Sequence, residues 1–403
     1  MRGCRAVSLG RGNFLHHADM LNDFTNIGIA HRRYGDLPFG IRQQDRLLHM
    51  YIIGQTGTGK STLLANLALQ DAKAGRGFCL IEPHGDLARD VSSRLGFNHI
   101  YWDVADPLSP IGYNPIARVS ESLQPLVTSG LIDTLRRQWA DAWGARMEHL
   151  LRYSVLALLA QPRADLRDVM RLHTDKTFRT QAIARVTDPQ VLAFWTKEYP
   201  NMNYKTAIDG VAPIANKLGA FLAHPVIRAA LCEPQEPLRF RRLMDDRAQL
   251  VINLSKGRLG ADVSNVVGGL IVSSIMHAAF SRYSLPESER TPFFLYIDEF
   301  HSFSTSALAS MLSEVRKYGL GLVLAHQHSA QLDSDTFEAI MGNVGTQIVF
   351  RIGASDALAF SRQFDDIPPR DLSNLPNYRT YMKLMVDGLR TLAFSATMQP
   401  PTS

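Results

Sequence analysis

The chain has 403 residues, 45% hydrophobic and 20% charged, ordinary for a folded soluble protein but too long for a single core, so one large domain with an insertion, or two domains, is expected. A formal charge of +5 suits a polyanionic partner without demanding one. Cys4, Cys79 and Cys232 show neither C-x-x-C nor zinc spacing, which excludes a disulfide framework and a structural zinc site and implies a reducing, cytoplasmic setting.

Residues 1 to about 35 show no sustained periodicity and no apolar run of a secretory signal, and they read as an N-terminal arm. Gly35 to Asp45 is a turn-rich lead into a first strand, Met50 to Ile53. Then Gly54-Gln55-Thr56-Gly57-Thr58-Gly59-Lys60-Ser61-Thr62 satisfies G-x-x-x-x-G-K-[ST], and Leu63, Leu64 and Leu67 continue with helical spacing. Strand, glycine turn and helix are the context a phosphate-binding loop needs. Backbone without side chains can wrap closely and aim its N–H groups at a phosphate, and the helix N-terminus adds positive potential there. Lys60 would neutralise the β- and γ-phosphates of ATP, and the Ser61 hydroxyl would ligate Mg²⁺.

Phe78 to Ile81 is a second buried strand, ending in Glu82-Pro83-His84-Gly85-Asp86, where His84 suits a turn or a functional role. A helix marked by Leu87, Val91 and Leu95 follows, then a short strand at His99 to Trp102. Strands alternating with helices predict an α/β fold, a mostly parallel sheet covered on both faces. From about Ile116 to Arg242 the periodicity is helical, with breaks expected at Gly144, Pro162, Pro189, Pro200, Pro213 and Pro225. The chain thus divides into the arm (1–35), a nucleotide-binding domain in two pieces (36–116 and 243–403), and an inserted all-helical domain (117–242).

The α/β rhythm resumes with a strand at Gln249 to Leu254. The uncharged stretch Val263 to Ser281 is the one membrane candidate, but its polar residues and Gly268-Gly269 leave too short an apolar core, and a buried helix is expected. Phe293 to Ile297 is a strand ending in Asp298-Glu299. After a phosphate loop, Asp298 would hold Mg²⁺ and Glu299 would orient and deprotonate the attacking water. A helix over Ser306 to Tyr318, a strand at Gly321 to Ala325, a helix around Asp335 to Met341, and a strand at Thr346 to Ile352 follow. Tyr381 to Val386 and Arg390 to Phe394 flank the turn Asp387-Gly388.

Gln327, after the Gly321 strand, is placed to sense the γ-phosphate by hydrogen bonding; the bland alternative is a surface glutamine. His326 and His328 lack matched ligands and read as packing or solvated residues. Arg316 either complements a helix dipole or serves as an arginine finger in a neighbouring subunit's site, with Arg351 a second candidate.

These stretches, together with Phe39-Gly40-Ile41, Asp45-Arg46, Asn253-Leu254-Ser255-Lys256-Gly257, Glu314-Val315-Arg316-Lys317-Tyr318-Gly319 and Gly342-Asn343-Val344-Gly345, resemble the HerA/FtsK superfamily of ring-forming ATPases. The similarity is to the type IV coupling proteins (TraG/TraD kind) of conjugation and secretion, and it runs from about Phe39 to Leu384. The resemblance implies a RecA-like P-loop core with an all-helical insertion, a hexameric ring that moves DNA through its centre, and an arginine matching Arg316 that acts across the subunit interface. It also implies relaxase or secretion-channel proteins as partners. Many members begin with transmembrane helices and none is visible here, so a cytoplasmic protein, peripheral at the inner membrane through partners, is expected. Glu82 replaces a usual aspartate, and His301 a smaller or amide residue.

The leading expectation is an ATP-driven DNA translocase. A secretion or assembly ATPase without DNA in its channel, and a HerA-type motor partnered with a nuclease, share the same catalytic parts. A guanine-specific switch is disfavoured, because the nearest match to N-K-x-D, Asn216-Lys217-Leu218-Gly219, lacks the aspartate.

Overall fold

The computed structural model describes residues 23–202, 204–304, 308 and 312–400. Eleven strands form one sheet. In chain order they are β1 (Phe24–Ala30), β2 (Leu37–Arg42), β3 (Met50–Ile53), β4 (Gly77–Glu82), β5 (Ile100–Asp103), β6 (Gln249–Asn253), β7 (Phe293–Ile297), β8 (Leu320–His326), β9 (Thr346–Val349), β10 (Arg379–Lys383) and β11 (Phe394–Met398). Across the sheet the order is β2-β1-β11-β10-β9-β3-β8-β7-β4-β6-β5. Neighbours from β9 to β5 run parallel, and β10, β11, β1 and β2 extend that edge antiparallel.

The parallel strands form where apolar runs let both faces be covered, as burial of every residue of β3, β4 and β7 requires. Alternate residues feed two cores. Met50 and Ile52 pack with Phe78, Leu80 and the apolar side of helix α1 (Lys60–Lys73), namely Leu63, Leu64 and Leu67. Tyr51 and Ile53 face the other way, into a core shared with Cys79, Ile81 and the helices from residue 124 onward. Every element from Glu121 to Cys232 is helical among the described residues.

The stretch considered for a membrane is helix Ala261–Phe280. By length and composition it is apolar enough to span, yet it lies in the protein core, with Val267, Ile271, Ile275 and Met276 fully buried. It packs on Gln124–Gln138 through small residues. A Cβ on Gly269 would come 2.7 Å from Thr134 Cγ2, so the glycine lets the two helices approach.

Three expectations need correction. Residues 24–30, read as part of an arm, form β1 between β2 and β11. Its buried positions are Thr25, Ile27, Gly28 and Ala30, too small and polar to show an apolar pattern. Pro213 does not end a helix but lies inside Tyr204–Ala223, where burial of Ile214, Leu218 and Phe221 outweighs the lost backbone bond. The turn at Asp387-Gly388 joins only Met385–Val386 to Leu389–Arg390, with φ of 50° and 77°, while β10 and β11 pair with each other in the main sheet. The helix expected over Ser306 to Tyr318 falls largely outside the described residues; its end, Val315–Tyr318, is a 3-10 turn.

Candidate active site

The loop between β3 and α1 lies at the C-terminal end of the parallel strands. Gly57 and Gly59 have φ of 77° and 120°, backbone that a side chain would strain, and Gly59 opens α1. The Lys60 ammonium folds back on the loop, donating to the Gly54 carbonyl at 2.5 Å and the Gln55 carbonyl at 3.1 Å. Thr58 Oγ1 closes the loop by donating to the same Gln55 carbonyl at 2.7 Å. Burial lowers the Lys60 pKa, opposed by Asp298 and Glu299. Ser61 is exposed at the helix start and Thr62 half-buried.

The sheet order brings the other predicted residues to this loop, because β8 lies between β3 and β7. Asp298 and Glu299 leave β7, and Gln327 leaves β8. The Asp298 N–H donates to the Ile81 carbonyl at 3.1 Å, which ties the end of β7 to β4. Burial pushes the Asp298 carboxyl up to about 7, with Glu299 and Glu82 adding to the effect and Lys60 opposing it. Glu299 is held in left-handed backbone (φ 49°), uncommon for a residue with a side chain. The Gln327 amide donates to Glu299 Oε1 at 2.6 Å, while Gln327 Oε1 accepts from Thr56 Oγ1 at 3.0 Å. One side chain therefore spans from the phosphate loop to the second acidic residue. Glu299 Oε2 is buried without a hydrogen bond; His301 Nδ1 stands 3.4 Å away but is poorly aligned.

Glu82 accepts from the backbone N–H groups of His84, at 2.6 Å, and Gly85. It shapes the turn after β4, and the extra methylene relative to aspartate gives it that reach. His84 lines the cleft and is exposed. His326 is buried inside β8 with Nε2 2.7 Å from the Tyr51 hydroxyl, and burial holds its pKa at about 3, a packing role. Arg351 sits at the loop of its own chain, donating to Gln55 Oε1 at 3.3 Å and the Leu375 carbonyl at 3.1 Å. Arg316 is exposed just before β8, at the opposite end of that strand from Gln327. Seven residues of β8 separate the two ends, about 20 Å of strand. Arg316 therefore does not join the site of its own chain.

A cleft of about 710 Å³ runs over the loop, lined by Lys60, Ser61, Asp298, Glu299 and Gln327 among others. Sequence reasoning missed the lining residues Ala65, Asn66, Asp90 and Arg94, which lie on the helices after the loop and after β4, and also Tyr378. Tyr378 lies far along the chain, and only the pairing of β10 into the sheet brings it to the loop.

Residues 262–367, which contain Asp298, Glu299 and Gln327, match the family described as type IV secretion-system coupling protein DNA-binding domain. The structure resembles the plasmid coupling protein TrwB bound to a non-hydrolysable ATP analogue, with TM-score 0.64 and 19% identity over 89% of this chain and 87% of that one. The chain shares the fold of that coupling protein. TrwB in complex with ADP and Mg²⁺ is similar to this chain with TM-score 0.62 and 17% identity, over 89% of this chain and 87% of that one. VirB4 of Thermoanaerobacter pseudethanolicus shares the fold with TM-score 0.62 and 15% identity, over 93% and 96%. No curated protein sequence matches the chain significantly.

Proposed function

We propose that this protein is an ATP-hydrolysing ring motor that translocates DNA in conjugative or related type IV transfer. The observation that carries the ATPase assignment is the hydrogen-bonded line from Thr56 through Gln327 to Glu299, which joins the phosphate loop to the group suited to activate water. The DNA assignment leans on the coupling-protein match over residues 262–367.

The residues fit ATP and Mg²⁺. The loop offers close backbone, a lysine now spent on its own carbonyls, and an exposed hydroxyl at Ser61. Asp298 and Glu299 place two carboxyl groups beside one ammonium, an excess of acidic oxygen suited to a hard divalent cation. TrwB itself has been solved with an ATP analogue and with ADP and Mg²⁺. Bound ATP supplies the phosphoanhydride to be cleaved, and Mg²⁺ neutralises its oxygens. Gly54, Gln55, Thr56, Gly57, Thr58, Gly59, Lys60, Ser61 and Thr62 would hold the phosphates, and Ser61 and Asp298 would hold the metal. Glu299 accepts the proton of the attacking water, and Gln327 signals γ-phosphate loss. Arg316, at the far end of β8, completes the site of the next subunit, as a head-to-tail ring requires. Residues 36–116 and 243–403 form the motor and 117–242 an inserted helical domain. The motor works in the cytoplasm, with relaxase or secretion-channel proteins bringing it to the inner membrane.

The test is steady-state ATP turnover by folded variants. Lys60→Ala and Glu299→Gln are each expected to lose at least about a hundredfold. Arg316→Ala should also fall and should recover activity when mixed with Lys60→Ala subunits. Near-normal turnover in Lys60→Ala and Glu299→Gln would overturn the ATPase assignment; no recovery on mixing would remove the role across the interface.

A further inference from the structure

We propose that Tyr378 is the platform on which the nucleotide base stacks, a subsite that rests on the phosphate-loop reading and extends it to base recognition. Tyr378 directly precedes β10 and has φ of 66°, backbone in which a bulky residue is strained and glycine or asparagine would sit more easily. Two backbone bonds hold it there. Its N–H donates to the Thr58 carbonyl at 2.8 Å, and its carbonyl accepts from the Met398 N–H at 2.8 Å. The phosphate loop thus carries the tyrosine on its own backbone.

The ring lies against Gly59, where a Cβ would come 2.8 Å from Tyr378 Cδ1, so the loop glycine makes room for the aromatic face. The side chain lines the cleft yet stays 39% exposed. It pairs with no other ring, and its hydroxyl makes no hydrogen bond among the described residues. An aromatic side chain kept in strained backbone, with one side against the loop and the rest open, is a surface awaiting a flat partner.

The two ends of the loop assign the direction. Thr56 is tied to Gln327 and Glu299, the reacting end. Thr58 and Gly59 carry Tyr378, so a nucleotide whose terminal phosphate meets Glu299 sends its base toward this ring. Among the polar side chains that line the cleft, Asn66 already donates to the Gln399 and Pro400 carbonyls at 3.1 and 3.0 Å. Recognition there is by stacking, which every base can satisfy, so the site takes ATP and GTP with little preference between them.

Dissociation constants for ATP, GTP and inorganic tripolyphosphate, each with Mg²⁺, test this in the wild type, Tyr378→Ala and Tyr378→Phe. Tyr378→Ala should weaken both nucleotides by about tenfold and leave tripolyphosphate within about twofold, while Tyr378→Phe keeps wild-type affinities. Equal weakening of all three ligands would show that the tyrosine only supports the loop and would overturn the proposal, as would an alanine variant that binds ATP normally. Wild-type protein that binds none of the three would instead fail the phosphate-loop reading itself.

Discussion

Gln327 touches both groups that the proposed hydrolysis would have to coordinate, Thr56 of the loop at 3.0 Å and Glu299 at 2.6 Å. Its amide has distinct donor and acceptor ends, and both are in use. Loss of the side chain removes the link but leaves the phosphate cradle. Gln327→Ala is therefore expected to lower kcat by roughly ten- to a hundredfold with KM little changed, the pattern of an interaction used in turnover rather than in binding. Measurement of kcat and KM separately checks this. A rise in KM with kcat preserved would make Gln327 a binding residue and contradict the coupling role.

Among the elements, one buried network ties together pieces distant in sequence. Arg46 is fully buried and forks onto Asp71 at 2.6 and 2.8 Å, and it also donates to Thr25, Gln43 and the Tyr296 hydroxyl. This joins β1, α1 and β7, three elements whose relative placement positions the loop against Asp298. Removal of one partner strands a buried charge, so Asp71→Ala is expected to cost about 3–5 kcal/mol in urea unfolding, whereas replacing Arg46 and Asp71 together by apolar residues should cost far less. Equal losses in the single and double variants would contradict the charge argument.

Much at this scale was legible in the sequence. The apolar runs gave the inner strands within a residue or two, because a strand covered on both faces must be apolar throughout, except that β9 ends at Val349, three residues before the expected Ile352. The glycine pattern located the loop, and the strand ends located Asp298, Glu299 and Gln327. What stayed hidden depends on contacts rather than pattern. β1 buries Thr25 and Gly28 by polar bonding and close approach, so it shows no apolar alternation. Tyr378 carries no motif and reaches the site only through strand pairing. Pro213 looks like a helix end to any local rule and is overridden by packing.

At the scale of the molecule, the candidate residues fall at two opposite ends of the sheet. The loop, the acidic pair and Gln327 gather at the C-terminal ends of the parallel strands; Arg316 stands exposed before β8 at the other. His49 pins that far end. Its Nε2 lies 2.8 Å from the Leu312 carbonyl, and its Nδ1 accepts the Leu322 N–H at 3.1 Å, so the neutral ring joins the segment leading to Arg316 to the start of the phosphate-loop strand. Burial, aided by Arg316, lowers its pKa to about 4 and keeps it neutral at working pH. This placement, with the loop at one side of the chain and an exposed arginine at the other, is the one the proposed ring would need.

The most direct test of a DNA motor is steady-state ATP hydrolysis with and without single- and double-stranded DNA at two salt concentrations, with Glu299→Gln as the blank. The prediction is strong stimulation by DNA that fades at high salt, because backbone phosphate contacts weaken as counterions compete. Hydrolysis that ignores DNA at both salt concentrations would contradict the DNA motor and leave an ATPase that works on a protein partner.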